Sequence, residues 1–473
     1  MIRPILVAAT VVSVSSLLCL NLVGAHANEA RRPLNLVREV RPLPGNLDNT
    51  PVFNSNNPEL VGGDGILLST FPREDGIANL DFTFAGRFDV FAHHIAGSQR
   101  VGRREDLYLG LLVGNTGEKP VVVDVVNAAS YLTRPEAPYI ALPRLIRNDD
   151  GNTFAGPGDR ATSDLLRNKI GTSWKKTITV SPGKQALLQR LAVPVPGSGS
   201  QQNARTYIAQ LQSDGPVRLA LVACFAHPRR RLAMFLSILT VIPPIPIRRY
   251  PVPKEYDFVQ VLKAGKLVSP RERPASHPED PGVVRYGRVS GVTIGSSWQG
   301  TLADDGLAYL ALPEPEKPIS YVLSSLVGGT FGTDQVQSAP LAVRYDDSAY
   351  KGHGNYAVRY DLVLPLKNTS NRALKLRLFL ETPIKSDIKS DVVRFFDPPY
   401  KQVVFRGTIK VTTRSKEGQN SLDYFHLVQR YAEAADPFFV LQFAPRQEQT
   451  VRVEFIYPPD CTPPQLLTIS SAL

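Results

Sequence analysis

Leu107-Tyr108-Leu109-Gly110-Leu111-Leu112-Val113-Gly114-Asn115-Thr116-Gly117 is the stretch on which the fold turns. Leu107, Leu109, Leu111 and Val113 alternate, the period of a strand with one buried face. Asn115-Thr116-Gly117 is a turn signal, and Val121 to Val126 reads as the return strand. Downstream, Thr177 to Val180 runs into Ser181-Pro182-Gly183-Lys184, and Leu187 to Val195 follows. Val217, Leu219, Leu221 and Ala223 alternate again after an Asp214-Gly215-Pro216 turn. The second half of the chain repeats this plan. Leu362, Leu364 and Leu366 lead into Asn368-Thr369-Ser370-Asn371, and Leu374, Leu376, Leu378 and Leu380 return. Ala444-Pro445-Arg446 then turns into Val451, Val453, Phe455 and Tyr457. The expected fold is mostly β, with two related Ig-like β-sandwich halves.

Working outward gives five segments: a signal peptide over residues 1–27, an extended arm over 28–80, a first sandwich over 81–250, a helix and linker over 251–284, and a second sandwich over 285–473. The arm is rich in Pro, Asn and Gly and is expected to lie over the domain that follows. Phe258, Val261 and Leu262, with Gly265 near the end, predict one short helix within Pro253 to Leu267. Asp164 to Lys169 is a second helix-like stretch. Pro270 to Val284, with Pro274, Pro278 and Pro281, reads as the linker.

The N-terminus sets the expected compartment. Met1-Ile2-Arg3 is a positive start, Ile5 to Val23 is apolar or small, and Ala25-His26-Ala27 supplies the small residues of a cleavage site. That order predicts export, with cleavage near Ala27 and a periplasmic or extracellular location. The competing reading is an uncleaved anchor. Of the three cysteines, Cys19 leaves with the signal, and Cys224 and Cys461 remain as a candidate disulfide in an oxidising compartment. The absence of a Cys-x-x-Cys pair excludes thiol redox chemistry and zinc binding of that type. The net charge of +11 points, outside the cytoplasm, to anionic envelope polymers rather than nucleic acid. A basic-flanked apolar run, Leu232 to Ile247, is too short before its first proline to span a bilayer. It reads as a buried strand pair or a peripheral membrane contact over 232–247.

Several stretches resemble a family of exported cyanobacterial proteins described only as a domain of unknown function. They are Glu39-Val40-Arg41-Pro42-Leu43-Pro44-Gly45, Gly65 to Thr70, Gly86-Arg87-Phe88-Asp89-Val90-Phe91-Ala92-His93-His94-Ile95-Ala96, Gly156-Pro157-Gly158-Asp159-Arg160, His353-Gly354-Asn355-Tyr356, and Tyr457-Pro458-Pro459-Asp460 followed by Thr462-Pro463-Pro464. The resemblance covers nearly the whole mature chain. It implies an envelope protein and no assigned activity.

Four sets of residues carry chemistry. Asp89, His93, His94 and His353 offer a carboxylate and imidazoles, the groups of metal sites and acid–base catalysis. Asp89 and His93 would share a strand face, with His94 opposite. Gly156, Gly158, Asp159 and Arg160 precede helix-like sequence and could hold an anion on backbone N–H groups. Asn148-Asp149-Asp150-Gly151-Asn152 is acidic but lacks the order of a calcium loop. Trp174 and Trp298 fit either sugar stacking or a core. No His-Glu-x-x-His or Gly-x-Ser-x-Gly motif is present, and no cofactor is implied. The reading these features favour is a non-enzymatic envelope protein that binds polysaccharide or another exported protein. A secreted carbohydrate-active or metal-dependent hydrolase is the alternative.

Overall fold

The structure is a computed structural model. It describes residues 31–97, 106–169, 174–194, 202–226, 229–230, 248–249, 251–280, 282, 284–415, 418 and 420–473. The expected signal peptide and the 232–247 stretch lie outside the described residues; flanking the latter, Arg229–Arg230 pairs with Arg248–Arg249.

The chain is mostly β, as its alternation predicts, and its apolar side chains gather into two large cores. One is built chiefly from residues 53–268, the other chiefly from residues 298–469. In the second, strands of an eight-stranded and a five-stranded sheet supply opposite walls, the arrangement of a sandwich. In the first, the 24-residue strand Gln202–Phe225 serves two walls. Its first part pairs with Phe84–Gly97 and Val121–Leu132, and its last part with Gly65–Ser69 and Leu107–Gly114. Asp214-Gly215-Pro216 is therefore not a turn between strands. It is a bend inside one strand, where the register shifts between Ser213 and Val217.

The quoted stretch forms a strand, Leu107–Gly114, but it does not pair with Val121–Leu132. It pairs with Gln185–Val193, while Val121–Leu132 pairs with Thr177–Val180. The second half does the same: Arg359–Lys367 pairs with Glu448–Ile456, and Leu374–Glu381 pairs with Phe439–Phe443. In each half the asparagine corner carries the chain from one pairing partner to another. A single buried amide fastens it. Asn115 Nδ2 donates to the carbonyls of Lys119 (2.7 Å) and Val180 (2.9 Å), and Oδ1 accepts from Gly117 N–H (2.9 Å). Asn368 Nδ2 donates to Arg372 (2.7 Å) and Ala444 (2.9 Å), and Oδ1 accepts from Ser370 N–H (3.0 Å). Both asparagines are buried, so no water replaces these bonds.

Three expectations are corrected. The arm does not lie over the following domain alone. Arg32–Val37 pairs with Val392–Asp397, Glu39–Arg41 with Ile319–Leu323, and Asn46–Leu47 with Ser297–Thr301. Extended backbone docks where strand edges offer unpaired amides, and here those edges belong to the second half. The boundary at 285 is also crossed. Pro51–Ser55 pairs with Phe84–Gly97 on one side and with Ser290–Ile294 on the other, so one sheet continues from the first core into residues after the linker. Finally, Cys224 and Cys461 are free thiols. Cys224 packs in a cluster with Phe258 and Leu112, Cys461 in the second core, and burial raises both thiol pKa values.

The short helix forms as Glu255–Ala264 and ends at left-handed Gly265. Phe258 lies over Gly110, where any side chain would strike its ring. This explains why the face of Leu107–Gly114 opposite the alternating leucines is buried as well. The linker beyond is tied down by Arg271, which forms a two-pronged ion pair with Asp347 (2.5 and 3.0 Å).

The matched corners make a paired prediction. Asn115→Ala and Asn368→Ala should each cost about 2–3 kcal/mol in urea unfolding, because each strands buried polar groups. Asn→Asp at either site should cost nearly as much, since a carboxylate keeps the acceptor but loses both donors. A loss within ~0.5 kcal/mol of wild type would show that the amide is not what holds the corner.

Candidate functional site

A cavity of about 580 Å³ opens beside the strand that joins the two cores. That volume is in the range of small-molecule sites. Its walls come from Pro51–Ser55, from Phe84–Gly97, from residues 285–296 and from residues 352–358, with Lys385 and Thr462 from farther along the chain.

Asp89 and His353 both line this cavity, so the structure brings together two of the four residues proposed from the sequence. His93 shares the Asp89 face of its strand but stands four residues on, roughly 13 Å at the rise of an extended chain. It bonds Thr206 Oγ1 through Nδ1 (2.9 Å), and its Nε2 is 3.6 Å from Glu59. His94 points the other way and is fully enclosed. Its Nδ1–H donates to the Pro58 carbonyl (2.8 Å), so Nε2 accepts from Ser55 Oγ–H (3.0 Å). Burial drops its pKa to about 3, which keeps the ring neutral. Among the described residues no group of three His, Cys, Asp or Glu side chains is placed to hold a metal ion.

Four residues of the lining also carry a buried polar atom with no hydrogen-bond partner in the chain: Asn54 Oδ1, Asn56 Oδ1, Asp89 Oδ1 and His353 Nδ1. Buried polar atoms are ordinarily paired, and these four are sealed from the cavity itself, so the polar groups open to it are the other atoms of the same residues. Burial pushes the Asp89 carboxyl up to about 6, partly opposed by Arg87, whose Nε is 3.7 Å away. His353 moves the other way, down to about 4, chiefly through burial and then through Lys351. Its ring lies 4.9 Å from that of Tyr286, another lining residue. Near pH 7 the residues lining the cavity thus include a carboxylate held at some cost, a neutral imidazole and two side-chain amides.

The glycine loop has a different role. Gly156 and Gly158 do open a helix, which starts at Pro157 rather than near Asp164 and runs to Leu166. Proline at a first helical position sacrifices no hydrogen bond, which favours the earlier start. The anion at this N-terminus is the protein's own Asp460: Gly158 N–H donates to its Oδ2 (3.1 Å). A Cβ on Gly156 or Gly158 would collide with the same carboxylate. Asp159 is fully buried and accepts from Ala155 N–H (2.8 Å) and from His426 Nε2–H (2.7 Å). Arg160 donates to the Glu136 carbonyl and stacks on Tyr131 and Phe154. The loop is a latch between the two halves. The acidic turn nearby is anchored by buried Asn148, which bonds Thr153 and Thr408, while its exposed Asp149 accepts from Tyr424 N–H. Trp298 is a core residue, its indole N–H donating to the Pro44 carbonyl (3.0 Å).

Sequence reasoning missed Asn54, Asn56, Lys385, His426 and Asp460. A signal existed for the first two: Asn54-Ser55-Asn56-Asn57 follows apolar Val52 and Phe53 in an otherwise strand-like run, an unusual density of amides for a buried segment.

A family model described as "Protein of unknown function (DUF3370)" matches residues 38–471, and the chain belongs to that family. No curated protein matches it. Among solved structures, that of the Macrobrachium rosenbergii nodavirus aligns at 11% identity over 99% of this chain and 97% of the other; its TM-score of 0.10 carries no argument.

The Asp89 environment has a thermodynamic signature. The folded-state pKa lies above the ordinary 3.8, so between about pH 4 and 6 the folded protein binds more protons than the unfolded chain, and stability falls as pH rises through that window. Asp89→Asn removes this penalty. It should stabilise the protein by about 1–3 kcal/mol at pH 7 and by nothing below pH 4, read from urea unfolding at both values. A pH-independent effect would show that Asp89 titrates normally.

Proposed function

We propose that this DUF3370 member is an exported, non-enzymatic envelope protein that binds saccharide in the cavity between its two cores. The carrying observation is the cavity's lining, which sets the Asn54 and Asn56 amides, the Asp89 carboxyl, the His353 imidazole and the Tyr286 phenol around one space of about 580 Å³. A hydroxyl-rich ligand supplies matching donors, and each hydroxyl also accepts. Phe91, Tyr286 and Tyr356 in the lining add the flat apolar surface on which sugar rings rest. The signal-like N-terminus and the resemblance to exported proteins support placement in the periplasm or outside the cell, where envelope polysaccharide is the abundant ligand of this chemistry.

A second reading keeps the hydrolase. It draws on Asp89 and His353 lining one cavity with pKa values pushed in opposite directions, a pattern that accompanies acid–base sites. Titration of residues 28–473 with fractionated envelope glycans separates the two. Saturable calorimetric binding without release of new reducing ends is expected, weakened at least about tenfold by Asn54→Ala or Tyr286→Ala in variants that keep the wild-type melting temperature. Reducing-end release abolished by Asp89→Asn would establish the hydrolase instead. Failure of every fraction to bind at low salt would end the binding reading.

A further inference from the structure

We infer that the ligand is an acidic oligosaccharide whose anionic group seats on Lys385, where two cavities adjoin. The inference rests on the saccharide reading and names its chemical class.

Lys385 and Thr462 line the 580 Å³ cavity and also a second one of about 230 Å³, so the two spaces adjoin across these residues. The second is walled by Thr382, Gln402 and Tyr431. A ligand lying across both spaces is longer than a single sugar and passes over Lys385.

The Lys385 ammonium stands apart from the other cations of the cavity. Arg288 is neutralised by Glu59 and lies 3.7 Å from Glu272. Arg285 donates to the Pro274 carbonyl and is exposed, as is Arg273. Lys385 is partly buried, and among the described residues it has neither a counter-ion nor a hydrogen-bond partner for its side chain. Burial lowers its pKa. Its backbone position is fixed on both sides: Ile384 N–H donates to Arg394 (2.9 Å), and the Ser386 carbonyl accepts from Phe331 N–H (2.7 Å). A half-buried ammonium without a partner is costly, and a carboxylate or sulfate on the ligand removes that cost. Apart from the arginines, the other polar groups of the large cavity are carboxyls, amides, hydroxyls and an imidazole, suited to the hydroxyls on either side of such a group.

The test uses the mature chain and three size-matched probes: tetragalacturonate, its methyl ester, and a sulfated neutral tetrasaccharide. Calorimetry on wild type should show a preference for an anionic probe over the ester of at least about tenfold. The carboxylated and sulfated probes distinguish which anion fits. Lys385→Met should abolish the preference, and Lys385→Arg should retain most of it. Because Lys385→Met removes a desolvated charge, its melting temperature should equal or exceed that of wild type. Equal wild-type affinity for acidic and neutral probes, or a preference that survives Lys385→Met, would overturn the acidic-ligand inference and leave saccharide binding standing. No binding of any probe by wild type would overturn both.

Discussion

The Pro51–Ser55 strand is hydrogen-bonded along both edges, to Phe84–Gly97 on one side and Ser290–Ile294 on the other. A strand with both edges paired has no free backbone groups to give up, so it fixes the distance and register between the two cores. The cavity depends on that constraint. Asn54 belongs to this strand and Asn56 follows it, Asp89 lies on its first neighbour, and Thr293 of its second neighbour faces the same space. These three strands share one register, while residues 285–288, residues 352–358 and Lys385 complete the walls from outside it.

The interface between the halves carries polar groups in two settings. At the helix N-terminus, Asp460 closes on Gly158, Asp159 closes on Ala155 and His426, and Arg160 closes on Glu136. These groups come from both halves and bond one another, so they hold the halves together, although Asp159 Oδ1 and His426 Nδ1 keep no partner. Around the cavity, carboxylate, amide, imidazole and phenol side chains line open space instead. That space argues for recognition at the cavity and the direct bonds for structure at the latch, although the glycine-rich loop looked the better anion site by its local sequence.

The two asparagine corners show how far local patterns reach. Alternating leucines before Asn115 and Asn368 announced strands, and the turns announced changes of direction. Both were right as local statements. Which strand pairs with which was not legible, because a turn of several residues serves a hairpin or a crossing between sheets equally well, and the choice rests on partners some 65–97 residues away. Chain distance misleads at the site too: His353, remote in sequence, lines the cavity with Asp89, and His93, four residues from Asp89, does not.

By itself the sequence determined that this chain would be built of strands, that a short helix would end at Gly265, and that Asp89 and His353 were worth following. These follow from side-chain periodicity, backbone freedom and residue chemistry, all local. Tertiary structure alone decided that the arm would bind the second half, that Cys224 and Cys461 would lie in separate cores, that Asp460 would fill the glycine loop, and that Lys385 would stand unpaired beside the cavity. Each of these is a meeting of groups distant in the chain, set by which surfaces exclude water together, and no single segment encodes it.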